Sequence, residues 1–141
     1  MCQKIALKEY CSWEEVEVLV KLLAKKIKKA HTRYHAIRGI ANGGIIPARL
    51  MARELCIENI QLIQVRNNAL DLKEMPVLLK EKKYLIIDEV YDTGSTFVKV
   101  YDTVKMFRCD FSFLISRNKL DNKIFVAKIL NHRKWVVFPW E

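Results

Sequence analysis

At 141 residues with a 51% hydrophobic composition, the chain suits a single domain spanning residues 1–141, with its own core and no room for a comfortable second one. No apolar run approaches the roughly 20 residues that cross a bilayer, and the opening "MCQKIALKEYCSWEE" turns polar where a secretion signal needs its apolar stretch, so a cytoplasmic protein with no membrane partner is expected. Lys plus Arg number 25 against 16 Asp plus Glu, a net charge of +9, which attracts polyanions without choosing between a phosphate-rich small molecule and nucleic acid.

In chain order, Ser12 followed by Glu15 has the spacing of a capping box, and Val16, Leu19, Val20, Leu23 and Ile27 then recur at helical steps. A first helix over Trp13 to Lys29 follows, and its "KLLAKKIKK" reads as a solvated face, so nucleic acid is not an expected partner. "HAIRGIA", His35 to Ala41, reads as a buried strand that breaks at Asn42 to Gly44 before "IIPARLMARELCI" resumes helical periodicity with Pro47 near its first turn. Asn59 to Val65 is a second strand. Arg66 to Lys83 has no clean period and is expected as a mobile loop containing Pro76, ending in a short edge strand at Val77 to Leu79. A strand over Tyr84 to Asp88, a helix over Ser95 to Phe107 and a strand over Phe111 to Ser116 come next, before the tail "KIFVAKIL", "KWVVF" and "PWE". Strands alternating with helices imply an α/β fold of three layers, a mainly parallel twisted sheet flanked by helices, with ligands gathered beyond the carboxyl ends of the strands.

The stretch "YLIIDEVYDTGST", Tyr84 to Thr96, concentrates the chemistry. A turn opening a helix exposes unpaired N–H groups at the positive end of the dipole; Gly94 permits close approach, and Thr93, Ser95 and Thr96 add hydroxyl donors, which together suit a phosphate monoester. The adjacent acids Asp88 and Glu89 repel phosphate, but they can accept hydrogen bonds from a vicinal diol or hold a divalent cation. A ribose carrying phosphates with Mg²⁺ offers both. Other chemistries lack support: there is no GxxxxGK[ST], "GIANGG" lacks the GxGxxG order, no serine elbow or Cys–His pair occurs, and His31 and His35 have no visible third ligand. Cys2, Cys11, Cys56 and Cys109 are scattered and read as reduced thiols.

These thirteen residues resemble the phosphoribosyl-pyrophosphate motif of type I phosphoribosyltransferases: four apolar residues, two acids, two apolar residues, then Asp-Thr-Gly-x-Thr. "IRGIANGGIIPARLMARELCI" resembles that family's pyrophosphate loop and following helix, and "KWVVFPWE" is similar to the ending of its 6-oxopurine branch. The resemblance implies a purine salvage reaction in which hypoxanthine, guanine or xanthine displaces pyrophosphate from phosphoribosyl pyrophosphate, with Mg²⁺, to give a nucleoside monophosphate. Carried over by position, Asp88 and Glu89 would hold the ribose, with Glu89 reaching the metal. Asp92 would face the purine as general base, and Asp92, Thr93, Gly94, Ser95 and Thr96 would cradle the 5′-phosphate. Ala41, Asn42, Gly43 and Gly44 would wrap the pyrophosphate, with a cis peptide at Ala41–Asn42. Arg117, Trp135 and Val136 would meet the purine: Arg117 as donor to its 6-oxo group, Trp135 by stacking, and Val136 through its backbone at the exocyclic substituent. A homo-dimer or homo-tetramer is implied as well.

Three departures stand out. Asn42 replaces a common Arg or Lys, for which Arg38, Arg49 or a loop lysine could substitute. "RNNALDLKEM" lacks the Ser-Tyr pair of the bacterial enzymes, and Glu89 replaces the commoner Asp. A regulatory module that senses a nucleotide and binds RNA is the alternative to an enzyme, and Asp92, of no use to a pure sensor, favours the enzyme.

Overall fold

The computed structural model describes residues 7–30 and 32–141; Cys2 and His31 lie outside them. Eleven elements follow in order: β1 (Lys8–Tyr10), α1 (Trp13–Lys29), β2 (Ala36–Ala41), α2 (Ile45–Leu55), β3 (Ile60–Arg66), β4 (Ala69–Leu70), β5 (Lys83–Tyr91), α3 (Ser95–Val104), β6 (Arg108–Ser116), β7 (Ile124–Ile129) and β8 (Trp135–Val137). The main sheet runs β4-β3-β2-β5-β6-β7, parallel throughout except for the edge strand β4, and β1 pairs with β8 in a separate parallel ribbon.

Ser12 caps α1 as its spacing predicts, accepting the Glu15 N–H at 3.1 Å, and the apolar stripe from Val16 to Ile27 is buried. Helices α1 and α2 cover one face of the sheet, where Leu23, Ile27 and Met51 meet Leu85, Ile87 and Leu114. On the other face Val100 and Val104 of α3 pack with Ile40, Ile63, Ile86, Phe111 and Phe113. Burial on both faces explains why Tyr84 to Ile87 of β5 read as a continuous apolar run and why β2 reads as one broken only by Arg38. Among the described residues, no helix is long and apolar enough to cross a membrane.

The segment after β3 departs from expectation. Val77 to Leu79 forms no strand; the edge is taken instead by β4, which returns against β3 through Asn67 and Asn68, both left-handed at φ 50° and 60°. A two-residue turn with both central residues at positive φ is the hairpin geometry that asparagine tolerates. Leu79 gives its N–H to the Tyr84 hydroxyl at 2.9 Å rather than to a ladder. Strand β5 also runs on to Tyr91, because Asp88, Val90 and Tyr91 keep pairing with β6, and α3 stops at Val104, short of Phe107.

Candidate active site

Strands β2 and β5 are parallel neighbours at the centre of the sheet. The chain leaves β2 for a helix on one face and β5 for a helix on the other, so the sheet's winding reverses between them, the place where such folds open a crevice. Both glycine-bearing turns therefore meet at one rim. Gly44 and Gly94 are the residues preceding α2 and α3; neither helix has a side-chain cap or an acid in its first turn. Two helix N-termini are thus left with their positive ends open to an anion. Gly94 sits at φ 86°, beside the Tyr91 ring, a conformation and a clearance that only glycine supplies. The Ser95 N–H donates to Thr93 Oγ1 at 3.3 Å, and the two hydroxyls are also 3.3 Å apart, which holds Thr93 and Ser95 together at the mouth of the turn. The Ala41–Asn42 peptide is cis.

Between the turns stand the two acids. Asp88 Oδ1 accepts the Glu89 N–H at 2.7 Å, while burial pushes the Asp88 carboxyl up to about 7, with the neighbouring Glu89 charge adding to the rise. Glu89 lies against Gly43, so closely that a Cβ there would come 2.6 Å from its Cδ; its Oε2 accepts the indole N–H of Trp140 at 3.0 Å. Burial lifts Glu89 to about 7 against the pull of that indole bond. Among the described residues, no group of three or more His, Cys, Asp or Glu could hold a metal by itself. Two carboxylates beside an anion-binding rim fit a Mg²⁺ whose remaining ligands come from phosphates and water.

Asp92 follows the last residue of β5 and faces Arg117, whose Nε lies 3.2 Å from Asp92 Oδ1. The same guanidinium donates to the carbonyls of His132 at 3.1 Å and Lys134 at 2.7 Å, and Asn118 Nδ2 donates to the Asp92 carbonyl at 2.9 Å. Asp92, Arg117, Asn118 and His132, with Thr93 and Arg133, line a cavity of about 470 Å³ beside the α3 turn.

No family model matches the chain. The xanthine-guanine phosphoribosyltransferase of Idiomarina loihiensis is 25% identical over 142 residues, covering 94% of this chain and 86% of that protein. A structure from Neisseria gonorrhoeae, described as a hypothetical protein with bound ppGpp, superposes at TM-score 0.76 with 22% identity over 99% of this chain and 92% of that one. The purine phosphoribosyltransferase of Pyrococcus horikoshii is 30% identical, covers 95% of this chain and 93% of its own, and superposes at TM-score 0.73. The chain belongs to the type I phosphoribosyltransferase family, in its purine branch.

The family motif covers the 88–96 segment; of the base-side residues, Arg117 follows β6, and Trp135 and Val136 lie in β8. Arg117 is committed to Asp92 and two backbone carbonyls, so it braces the loop before β8 and does not stand free. Trp135 is 54% exposed. The backbone N–H of Trp135 donates to the Leu7 carbonyl, and the Val137 carbonyl accepts from the Cys11 N–H, so the peptide groups of the intervening Val136 turn to the free edge of β8. The Val136 side chain points into the groove beside α1 with Leu19 and Phe138. Arg38 cannot replace the charge missing at Asn42. Its guanidinium is buried at the amino end of the strands, bonded to Asn59 Oδ1 at 3.2 Å and lying 4.9 Å from the centre of the Tyr84 ring. Arg49 is an exposed residue of α2, and Lys73, Lys80 and Lys82 of the loop after β4 are exposed as well.

Sequence reasoning missed Asn118, His132 and Trp140. His132 accepts the Lys134 N–H on Nδ1 at 3.1 Å and meets Glu9 Oε2 through Nε2 at 2.5 Å, which ties the loop before β8 to β1. Only "PWE" carried a hint, through its likeness to the family's ending.

Proposed function

We propose that the protein transfers the phosphoribosyl group of phosphoribosyl pyrophosphate to a 6-oxopurine (hypoxanthine, guanine or xanthine), releasing pyrophosphate and forming the nucleoside monophosphate. The observation that carries this is the contact of Glu89 with Gly43, which joins the acid pair to the second turn and makes one site of the two. The amides and hydroxyls of Thr93 to Thr96 hold the 5′-phosphate. Asp88 and Glu89 hold the ribose hydroxyls, Glu89 also reaching the metal, and the Ala41 to Gly44 turn receives the leaving pyrophosphate. Mg²⁺, when bound with the substrate, supplies neutralisation of the charge that gathers on the departing group. Asp92, at the mouth of the base cavity, takes or shares the proton of the purine ring nitrogen as the bond to C1 forms. Arg117 steadies Asp92 and lends its charge to the 6-oxo side, with Trp135 offering an exposed face for stacking and Val136 its free backbone edge. Catalysis rests on stabilising an oxocarbenium-like ribose and the pyrophosphate together.

Asn42 favours a second reading, a protein that holds a nucleotide without turning it over, since an uncharged side chain stands where the leaving pyrophosphate would meet a cation. The Neisseria gonorrhoeae neighbour with bound ppGpp is consistent with that use of the fold. Incubation with Mg²⁺, phosphoribosyl pyrophosphate and each purine separates the two: nucleotide formed supports the enzyme. No nucleotide, together with nucleotide binding that Asp92→Asn leaves unchanged, supports the sensor. A homo-dimer or homo-tetramer is part of the proposal, checked by light scattering.

A further inference from the structure

We infer that Trp140, in the C-terminal tail, is a positioning residue for Glu89: it holds one carboxylate oxygen so that the other is presented to the Asn42 to Gly44 turn. This role rests on the phosphoribosyl reading of the site and adds to it a residue from outside the motif. The two oxygens of Glu89 have separate tasks. Oε2 accepts the indole N–H of Trp140 at 3.0 Å, and Oε1 lies over Gly43, where a Cβ would come within 2.6 Å of it.

The donor is itself held rigidly. The Trp140 ring stacks on Phe138 at 4.8 Å with 8° between planes, and Trp13 of α1 packs against it at 5.9 Å. Phe138 is 1% exposed. Glu141 closes the tail into a tight turn, accepting the Phe138 N–H on its side chain at 3.2 Å and donating its own N–H to the Phe138 carbonyl at 3.1 Å. A glutamate left free would lose rotamer freedom each time it met a ligand, and a fixed indole removes that loss beforehand. The same geometry gives a reason for glutamate at this position: its carboxyl bridges Gly43 and Trp140, a span that an aspartate, one methylene shorter, does not make.

Trp140→Phe tests the role, since it keeps an aromatic ring beside Phe138 and Trp13 while removing the N–H together with part of the bicyclic indole. The expected result is an affinity for phosphoribosyl pyrophosphate with Mg²⁺ weakened about tenfold by calorimetry, with KM for the purine within about twofold of the parent. In the parent, one of the indole N–H resonances should move both on Glu89→Gln and on addition of phosphoribosyl pyrophosphate with Mg²⁺. Glu89→Asp serves as the second variant, and it should lose as much affinity as Trp140→Phe, with the double variant losing no more. A Trp140→Phe protein that binds as the parent does, additive losses, or parallel loss of both substrates overturns the role. A parent that binds no phosphoribosyl pyrophosphate overturns the phosphoribosyl reading together with it, so the two failures are told apart.

Discussion

Gly43 and Gly44 are adjacent, yet the structure assigns them opposite sensitivities to alanine. A Cβ on Gly44 would lie 2.6 Å from the carbonyl oxygens of both Ile40 and Ile87, and 2.7 Å from the Ile40 nitrogen. All three are backbone atoms of the two central strands, and Gly44 is also bonded on both sides, to Ile40 O at 2.7 Å and from Ala48 N at 2.9 Å. The methyl has nowhere to go unless the start of α2 lifts from the sheet. Overpacking costs roughly 1–3 kcal/mol where side chains can adjust, and here none can, so Gly44→Ala should lose at least about 3 kcal/mol, or roughly 10 °C in Tm for a domain of this size. A Cβ on Gly43 meets only the carboxyl end of Glu89, 2.6 Å from Cδ and Oε1, and a side chain can swing away. Gly43→Ala should therefore melt within about 1 kcal/mol of the parent while losing about tenfold in affinity for phosphoribosyl pyrophosphate, because the displaced carboxylate no longer faces the turn. Thermal melts followed by circular dichroism, with calorimetric binding, read both effects. Equal melting losses in the two variants, or a Gly43→Ala protein that binds as the parent does, would refute the reasoning.

Asp92→Asn should lower kcat by roughly 10²-fold or more with little change in phosphoribosyl pyrophosphate binding; equal rates in variant and parent remove Asp92 from proton transfer. Asn42→Arg should tighten pyrophosphate binding, measured by calorimetry, and an unchanged affinity would mean that another cation already serves. Asp88 and Glu89 both titrate near 7, raised by burial above ordinary carboxylate values. The folded chain then holds more protons than the unfolded one between about pH 4 and 7, so their contribution to stability falls as pH rises through that window and levels off above it. Asp88→Asn should accordingly gain in Tm relative to the parent as pH goes from 5 to 8, and a constant gap would show that Asp88 is ionised throughout.

Which parts of this were legible in the chain follows from which forces are local. Helix α1 could be read to the residue because its cap and stripe lie within one contiguous segment, and β2 to within one residue, His35 falling outside it, because all six of its residues are buried. The segment after β3 was misjudged for the opposite reason. Asn67 and Asn68 carry a recognisable hairpin signal, but β4 is two residues long and shows no alternation, so Val77 to Leu79 looked the better edge. Ribbon β1–β8 joins positions more than a hundred residues apart, and its three-residue strands, largely exposed, leave no period to detect.

The same division runs through the site. The 88–96 segment declares itself because strand, acids, turn and helix start are contiguous, and each needs its residue types for a reason that can be stated locally. The place of Arg117 after a strand can be read locally, but its partners Asp92, His132 and Lys134 come from two other segments, so the bracing it also provides cannot. Glu89 is the sharper case. Set against the family motif that the segment resembles, it stands for an aspartate with one methylene more of reach. In three dimensions that methylene carries the carboxyl between Gly43 and Trp140, residues 46 positions before it and 51 after it. A substitution that looks like a change of reach within the motif is then part of a contact between two distant turns, and its cost can be judged only with both ends of that contact in place.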